Sequence, residues 1–166
     1  MIRSIEDFLH VWNSEAASTE NLFVQLTDAA LPLDLVESGR SLGRLAWHLV
    51  QTPPEMLART GLTIDGPGEH APAPGSVAEL ITAHQRVISS VQKELSSWSD
   101  ADLEREDPMY GESWTRSFTL SVLLLHLVHH RGQMTVLMRL AGLRVPGLYG
   151  PAREEWSSYG MESPAI

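Results

Sequence analysis

The sequence predicts an all-α protein in which four helices form a bundle and a short extension follows the last helix. Four segments repeat apolar residues at the three- and four-residue spacing of a helix that buries one face. No segment shows the convincing alternation of apolar and polar residues that is typical of a half-buried strand. Stretches rich in proline, glycine and polar residues separate the four segments and favour loops. With 166 residues, the chain is expected to form a single domain, 1–166, with its own core.

Composition restricts the classes of function. The chain contains no cysteine, so a metal site would use histidine or carboxylate ligands, and a cysteine nucleophile is excluded. Its 12 basic and 21 acidic residues give a net charge of −9, which repels nucleic-acid phosphates, and no basic patch offsets it. The longest strongly apolar run, 120–128, is shorter than the roughly 20 residues that cross a bilayer, and no signal-peptide pattern precedes it. We therefore expect a soluble cytoplasmic protein without nucleic-acid or membrane partners.

The first helix is expected to start at Ser4 and to extend to about Asp28. Ser4 offers a hydroxyl to the helix N-terminus, and Glu6 and Asp7 place negative charge in the first turn, where both features are favourable. The apolar face consists of Ile5, Phe8, Trp12, Ala16, Phe23 and Leu26. His10 falls outside this face, so we expect it in solvent.

A connection over 30–39 precedes the second helix, which begins near Ser41. Its inward stripe consists of Leu42, Leu45, His48 and Leu49. The Pro53-Pro54 pair predicts that the helix ends or kinks there, with a further turn or two over 55–60. His48 has two interpretations, as a core histidine bonded to a backbone carbonyl or as a ligand, and a lone inward histidine favours the first.

A loop over 61–75, rich in glycine and proline, leads to the third helix. Its composition favours mobility, so the loop is a candidate lid. Ser76 and Glu79 have the spacing of a capping box, and apolar periodicity then continues to about Ser97. The apolar face consists of Val77, Leu80, Ile81, His84, Val87, Ile88, Val91 and Leu95. His84 therefore competes with the histidine of the second helix as a candidate ligand.

The fourth helix, expected over 116–141, follows a polar connection over 99–117 and ends at Gly142. A heptad pattern predicts an inward seam of Leu123, His126, His130, Gln133, Leu137 and Leu140. His126 and His130 are four residues apart, so their rings lie on one face of the helix and can converge on one point.

The two histidines of this seam indicate a metal site. Burial of each polar ring costs on the order of 1 to 3 kcal/mol unless the ring finds a partner, and a metal ion would bind both imidazoles at once. A third ligand from a facing helix would give a three-histidine site with open positions for water or substrate, as in catalytic sites. The competing interpretation is a polar core cluster without a metal.

Three neighbouring residues have less distinctive patterns. His129 lies at the edge of the seam, so we expect it at the rim of the site or in solvent. Arg131 is expected to be an exposed salt-bridge partner. Gly132 costs about 1 kcal/mol relative to alanine in mid-helix, and it would permit close approach of another helix, including one from a second subunit.

Other catalytic sites find no support in the sequence. A di-iron carboxylate bundle uses inward Glu-x-x-His pairs, and this chain contains no Glu-x-x-His. It also lacks a G-x-S-x-G nucleophile elbow and a glycine-rich phosphate-binding loop.

The string His-Leu-Val-His-His-Arg-Gly-Gln at 126–133, with His48 in a short second helix and the segment 141–147, resembles the DinB/YfiT-like family of four-helix-bundle metalloproteins. The resemblance implies that His48, His126 and His130 bind a divalent metal. It also implies that His84 is a core histidine and not a ligand. It also implies a homodimer. Relatives include transferases that use bacillithiol and isomerases that use mycothiol.

The leading functional hypothesis is a metal-dependent thiol S-transferase whose partners are a small-molecule thiol and an electrophile. Imidazole ligands suit Zn²⁺ or Ni²⁺, with Fe or Mn as further options. One alternative is a metal-dependent hydrolase with a nearby carboxylate or His129 as base. Another is a non-enzymatic, stress-related metal-binding dimer. The sequence assigns no catalytic residue; it assigns only the three candidate metal ligands.

Overall fold

Four long helices dominate the computed structural model, which describes residues 2–34, 37 and 39–165. They are α1 (Ile5–Phe23), α2 (Leu42–Ala58), α3 (Val77–Leu95) and α4 (Arg116–Leu140). Short 3-10 turns lie at Asp28–Ala30, Asp100–Glu104 and Arg153–Tyr159, and one antiparallel hairpin pairs β1 (Glu106–Met109) with β2 (Glu112–Thr115). Both α1 and α2 pack against α3 and α4, which confirms the all-α bundle. Within these ranges, no helix combines the length and apolarity that a membrane crossing requires.

Each long helix begins at a hydroxyl side chain. The hydroxyl oxygens of Ser4, Ser41, Ser76 and Thr115 accept hydrogen bonds from backbone N–H groups three residues later, at 3.0 to 3.3 Å. Such a cap stabilises a helix by about 1 kcal/mol, because it satisfies a donor that the helix itself leaves unpaired. The predicted helix starts at Ser4 and Ser76 are confirmed.

The first helix ends at Phe23, before the predicted end at Asp28. The carboxylate of Asp28 accepts a hydrogen bond from the backbone N–H of Val77 at 2.8 Å. The segment around Asp28 is therefore tied to the start of α3, and continuation of α1 would break that contact. Of the predicted connection that follows, residues 35, 36 and 38 lie outside the described residues.

The second helix passes through Pro53 and Pro54 and ends at Ala58. It therefore does not end at the proline pair, and the further turn predicted beyond the pair is present. Each proline removes a backbone donor, at a cost of about 3 kcal/mol in a helix interior. Both rings are buried, and the extra turn also carries Met56 and Leu57 into the core. The apolar area buried in this way offsets the lost hydrogen bonds. Glu55 consequently lies on the same helix as His48.

The inward face of α4 differs from the predicted heptad seam. Its most buried residues include Leu120, Leu123, Leu124, Leu127, His130, Arg131, Met134, Leu137 and Met138. Gln133 and Leu140 are exposed, so the prediction that they face the interior is wrong. The helix carries apolar residues on nearly every side, and a heptad pattern then cannot distinguish the true inward face from one rotated by about one residue.

Arg131 is buried with 1% exposure, so the prediction of an exposed salt-bridge partner is wrong. Its guanidinium donates to the backbone oxygen and the carboxylate of Glu15, to the hydroxyl of Thr19 and to that of Tyr149. The Tyr149 hydroxyl donates to the Glu15 carboxylate at 2.7 Å. This buried cluster joins α1, α4 and the C-terminal segment, and it fixes the axial position of α4.

A β-hairpin occupies the predicted polar connection over 99–117. Tyr110 and Gly111 form its turn with φ angles of 51° and 90°, the left-handed pair that a tight hairpin requires. The strands are four residues long and one contains Pro108, so their alternation is too short to recognise in the sequence. Arg116 anchors the hairpin by donating to the Asp107 carboxylate at 2.8 Å and to the Thr60 carbonyl at 3.0 Å.

We expect Arg131→Met to lower the free energy of unfolding by about 3 to 5 kcal/mol, because it leaves the Glu15 carboxylate buried without its cation. Urea denaturation followed by circular dichroism measures the change. Arg139→Met is the matched control on the same helix. Its ion pair with Glu154 is exposed, so its loss should cost less than about 1 kcal/mol. Equal effects of the two substitutions would contradict a structural role for the buried cluster.

We also expect His84 to make the protein sensitive to acid. Burial in the core, where its ring packs edge-on against Phe23, lowers the pKa of His84 to about 4. The neutral ring is favoured in the folded state, so the stabilisation is complete above pH 6.5 and is lost as the pH falls towards 4. His84→Leu should flatten the dependence of unfolding free energy on pH in this window by up to about 1.4 kcal/mol per unit. An unchanged slope in urea titrations at pH 7, 6, 5 and 4.5 would refute this.

Candidate metal centre

Three histidines converge where α2 packs against α4. His48 comes from α2, and His126 and His130 come from successive turns of α4. One ring nitrogen from each residue lies within 4.8 Å of the other two, and Nε2 of His48 is 3.0 Å from Nε2 of His126. The ring centroids of His130 lie 4.5 and 4.4 Å from those of His48 and His126. The structure thus brings all three predicted ligands into one cluster that could hold a metal ion.

Gln133 sets the orientation of the ring of His130. Its Oε1 lies 2.7 Å from Nδ1 of His130. Because an amide oxygen only accepts hydrogen bonds, Nδ1 carries the proton and Nε2 keeps its lone pair. The Gln133 amide nitrogen lies 3.0 Å from Nε2 of His129, so one side chain links both histidines. A hydrogen bond to the ring nitrogen that does not bind the metal commonly fixes the orientation of a metal-binding imidazole.

The cluster favours neutral imidazoles. Burial is the main cause that lowers the pKa of His48 to about 4, and the positive charge of Arg40 acts in the same direction. Burial likewise lowers the pKa of His126 and that of His130. At neutral pH the three rings are therefore unprotonated, which is the state that binds metals.

The donor set fits a divalent transition metal. Three imidazole nitrogens suit Zn²⁺, Ni²⁺ or Fe²⁺ better than Mg²⁺ or Ca²⁺, which prefer oxygen ligands. Among the described residues, no aspartate, glutamate or fourth histidine joins the group. Three protein ligands leave coordination positions for water or a substrate, as in catalytic zinc sites, whereas structural zinc sites have four.

A cavity of about 640 Å³ opens onto His48 and His126. Its walls include side chains from α2, the loop over 61–75, the hairpin and α4. A second hollow of about 500 Å³ lies beside His130 and Gln133. The first cavity has the size of a site for a small molecule, and two of the three candidate ligands, His48 and His126, form part of its wall.

The hairpin contributes an aromatic side chain to this cavity. Tyr110 lines it and donates its hydroxyl to the carboxylate of Glu55 at 2.7 Å. Glu55 also pairs with Arg59 at 2.7 Å, and the Arg59 guanidinium lies 4.5 Å from the centre of the Tyr110 ring. Burial is the main cause that raises the pKa of Tyr110 to about 12, so its hydroxyl stays protonated at neutral pH.

The loop over 61–75 is held against α2 beside His48. The amide nitrogen of Gln51 donates to the backbone oxygens of Gly68, Glu69 and Ala71 at 2.8 to 3.2 Å. The indole nitrogen of Trp47 also donates to the Ala71 oxygen at 2.9 Å. These contacts bring the loop to the rim of the cavity, the position that the candidate lid was expected to occupy.

The other four histidines are not part of the three-residue cluster. His84 is in the core against α1, as expected from the resemblance, and His10 and His129 are exposed, as expected from their positions in the helices. His70 lines the cavity, although nothing in its loop sequence singled it out. The sequence also gave no reason to select Tyr110, which only the hairpin brings to the cavity.

Comparisons with known proteins agree with this architecture. The family model described as "DinB family" matches residues 1–163. The uncharacterized protein YrdA of Bacillus subtilis (strain 168) is 39% identical over 167 residues, which cover 100% of both chains.

Two solved structures show the same fold. A DinB-like protein from Bacillus cereus ATCC 10987 is 39% identical, with a TM-score of 0.85 over 90% of this chain and 100% of that chain. The DinB-like protein YjoA from Bacillus subtilis is 16% identical, with a TM-score of 0.67 over 87% and 97% of the two chains. Together, the family model, the 39% identical relative and the shared fold establish that this chain belongs to the DinB family.

Proposed function

We propose that this protein is a metal-dependent enzyme of the thiol S-transferase kind, in which His48, His126 and His130 hold Zn²⁺ or Ni²⁺, or else Fe or Mn. The observation that carries the proposal is the convergence of three neutral imidazoles beside a cavity of about 640 Å³. The thiol is proposed from the resemblance to thiol-dependent members of the family. The reaction joins a small-molecule thiol to an electrophile.

A divalent ion held by His48, His126 and His130 would supply positive charge that lowers the pKa of a bound thiol. In the proposed transfer, the thiol would release its proton to water, and its sulfur would form a bond to an electrophilic carbon. The bond from that carbon to the leaving group would break, with its electron pair departing on the leaving group. Neutral imidazoles leave the charge of the ion uncompensated, which favours an anionic sulfur. Gln133 holds the ring of His130 in place, and the cavity walls orient the electrophile.

The hydrolase alternative has less support. His129 is exposed and bonded to Gln133, and it does not line the cavity beside His126. Glu55 is a carboxylate on that wall, and in this structure its two oxygens accept hydrogen bonds from Tyr110 and Arg59. A general base must lie within reach of its proton donor, and the contacts of Glu55 are with these two side chains.

Elemental analysis of the purified protein tests the metal site. We expect about one Zn or Ni per chain in the wild type and background amounts in His48→Ala, His126→Ala and His130→Ala, because each substitution removes a third of the donor set. Gln133→Ala should weaken the affinity by about 10- to 100-fold, because it frees the His130 ring.

His10→Ala is the matched control, since His10 is exposed on α1 and its loss should leave the metal content unchanged. Helical circular dichroism checks that each variant is folded. Full occupancy in folded His126→Ala would exclude the three-histidine site. Consumption of thiol with 1-chloro-2,4-dinitrobenzene, lost on chelation, tests the reaction, whereas turnover of esters without thiol would favour a hydrolase.

We further propose that the protein is a homodimer that pairs through the outer face of α4. Phe118, Leu125, Val136 and Leu140 are 43%, 68%, 58% and 58% exposed. Their spacings of seven, eleven and four residues are close to whole helical turns, so they form one stripe. Gly132 lies near the same stripe, and apart from its chain neighbours and the backbone of its own helix no described atom lies within 4 Å of the position that a Cβ would occupy there. A second copy of α4 can therefore approach closely at this point.

Leu125→Glu combined with Val136→Glu should convert the dimer to a monomer, because it places charges in the middle of the proposed interface. Light scattering coupled to size-exclusion chromatography measures the mass, which should fall from two chains to one. Val24→Glu is the control, because Val24 is 54% exposed but lies outside the stripe, after α1. A wild-type monomer, or a dimer that survives both charges, would contradict this interface.

A further inference from the structure

The cavity beside the histidines concentrates positive charge in an acidic protein. The chain has only 12 basic residues and a net charge of −9, yet Arg40, Arg44 and Arg59 all line this cavity. Arg59 is neutralised by Glu55 at 2.7 Å. Among the residues that the structure describes, neither Arg40 nor Arg44 forms an ion pair. Two cationic groups are thus available to a ligand.

Arg44 is oriented by a neutral partner. Its Nη1 donates to Oε1 of Gln51 at 2.6 Å, and the Gln51 amide nitrogen is fixed on the backbone of the loop over 61–75. A guanidinium has five N–H donors in a planar fork. One of them is used within this contact, so the charge and the other donors remain available at the cavity wall.

Arg40 lies beside both hollows around the cluster. It lines the main cavity with His48 and His126, and it lines the second hollow with His130. Its charge also acts on the pKa of each of these histidines. An anionic group bound by Arg40 would therefore lie next to the candidate metal.

The wall formed by the hairpin and α4 is apolar. Trp114 of the hairpin and Val122 of α4 both line the cavity, and the Trp114 ring packs edge-on against Phe118 with 5.0 Å between centroids. Tyr110 extends the same surface, with its ring 5.7 Å from that of Trp114. The rings are inclined to one another by 60° to 74°, so together they offer an apolar, angled contact surface for an aromatic or aliphatic group.

We propose that the small-molecule substrate of this cavity is an organic acid. Arg40 and Arg44 bind its carboxylate, and Trp114 and Tyr110 contact its apolar body. Glu69 also lines the cavity without an ion pair among the described residues, so the two available arginines exceed the available carboxylates by one. That balance suits a monoanion better than a phosphate dianion. The inference rests on the proposed function, because it takes this cavity as the substrate site.

Paired probes that differ only in charge test this inference. We expect 3-phenylpropionate to bind the metal-loaded protein about tenfold more tightly than 3-phenylpropionamide, since a charge-assisted hydrogen bond has this magnitude. Isothermal titration calorimetry measures both affinities. Arg40→Gln and Arg44→Gln should each reduce the preference, and the double variant should abolish it. Both side chains are exposed, so the fold should tolerate the changes.

A double variant, Arg3→Gln with Arg153→Gln, is the matched control. It removes the same charge from exposed positions that do not line the cavity, so the preference for the acid should persist. Equal binding of the two probes by the wild type, or no binding of either, overturns the proposal. A preference that survives in the Arg40 and Arg44 double variant also overturns it.

Removal of the metal separates this inference from the proposed function. The metal-free wild type should retain the preference, because the arginines and not the ion supply it. A preference that disappears with the metal overturns the inference, since the carboxylate would then be a ligand of the ion. Failure of the proposed function would instead appear as absent metal or absent thiol consumption, and neither changes the binding expected at the two arginines.

Discussion

The contact between α2 and α4 is the constraint on which the candidate site depends. It buries His48 against His126 and His130, and burial keeps all three rings neutral by lowering the pKa of each. The cluster needs α4 at a fixed rotation and height, because the side chains of a helix change direction by about 100° per residue. Arg131 provides that fixed position through its buried contacts with Glu15. Arg131, the residue after His130, therefore has a structural role that supports the site.

The chemistry of the site follows from what surrounds the cluster. Continuation of α2 through its two prolines keeps Glu55 on the helix that carries His48 and places Arg59 at its C-cap. The hairpin brings Tyr110 and Trp114 to the same cavity. The ligands themselves carry no negative charge, so a divalent ion among them would keep its full positive charge. Among the described residues, Arg40 and Arg44 line the same cavity without an ion pair, although the protein as a whole is acidic. The proposed thiolate and carboxylate both suit that local charge.

Features that depend on local chemistry could be predicted from the sequence. The helix starts at Ser4 and Ser76 and the pairing of His126 with His130 follow from capping and helical periodicity alone. The addition of His48 required the resemblance to the family, because one inward histidine on α2 looks no different from a core histidine such as His84.

Features decided by tertiary packing could not be predicted. Burial of Pro53 and Pro54 overrides their tendency to end a helix, and the apolar surface of α4 conceals which side faces inward, so Arg131 was wrongly expected in solvent. Tyr110 reaches the cavity through a hairpin of four-residue strands.

X-ray absorption at the metal edge tests most directly whether the three histidines bind one metal ion. Three imidazole nitrogens at about 2.0 to 2.1 Å are the expected first shell of the Zn-loaded wild type. A shell of oxygen ligands, or fewer than two imidazoles, would contradict the account.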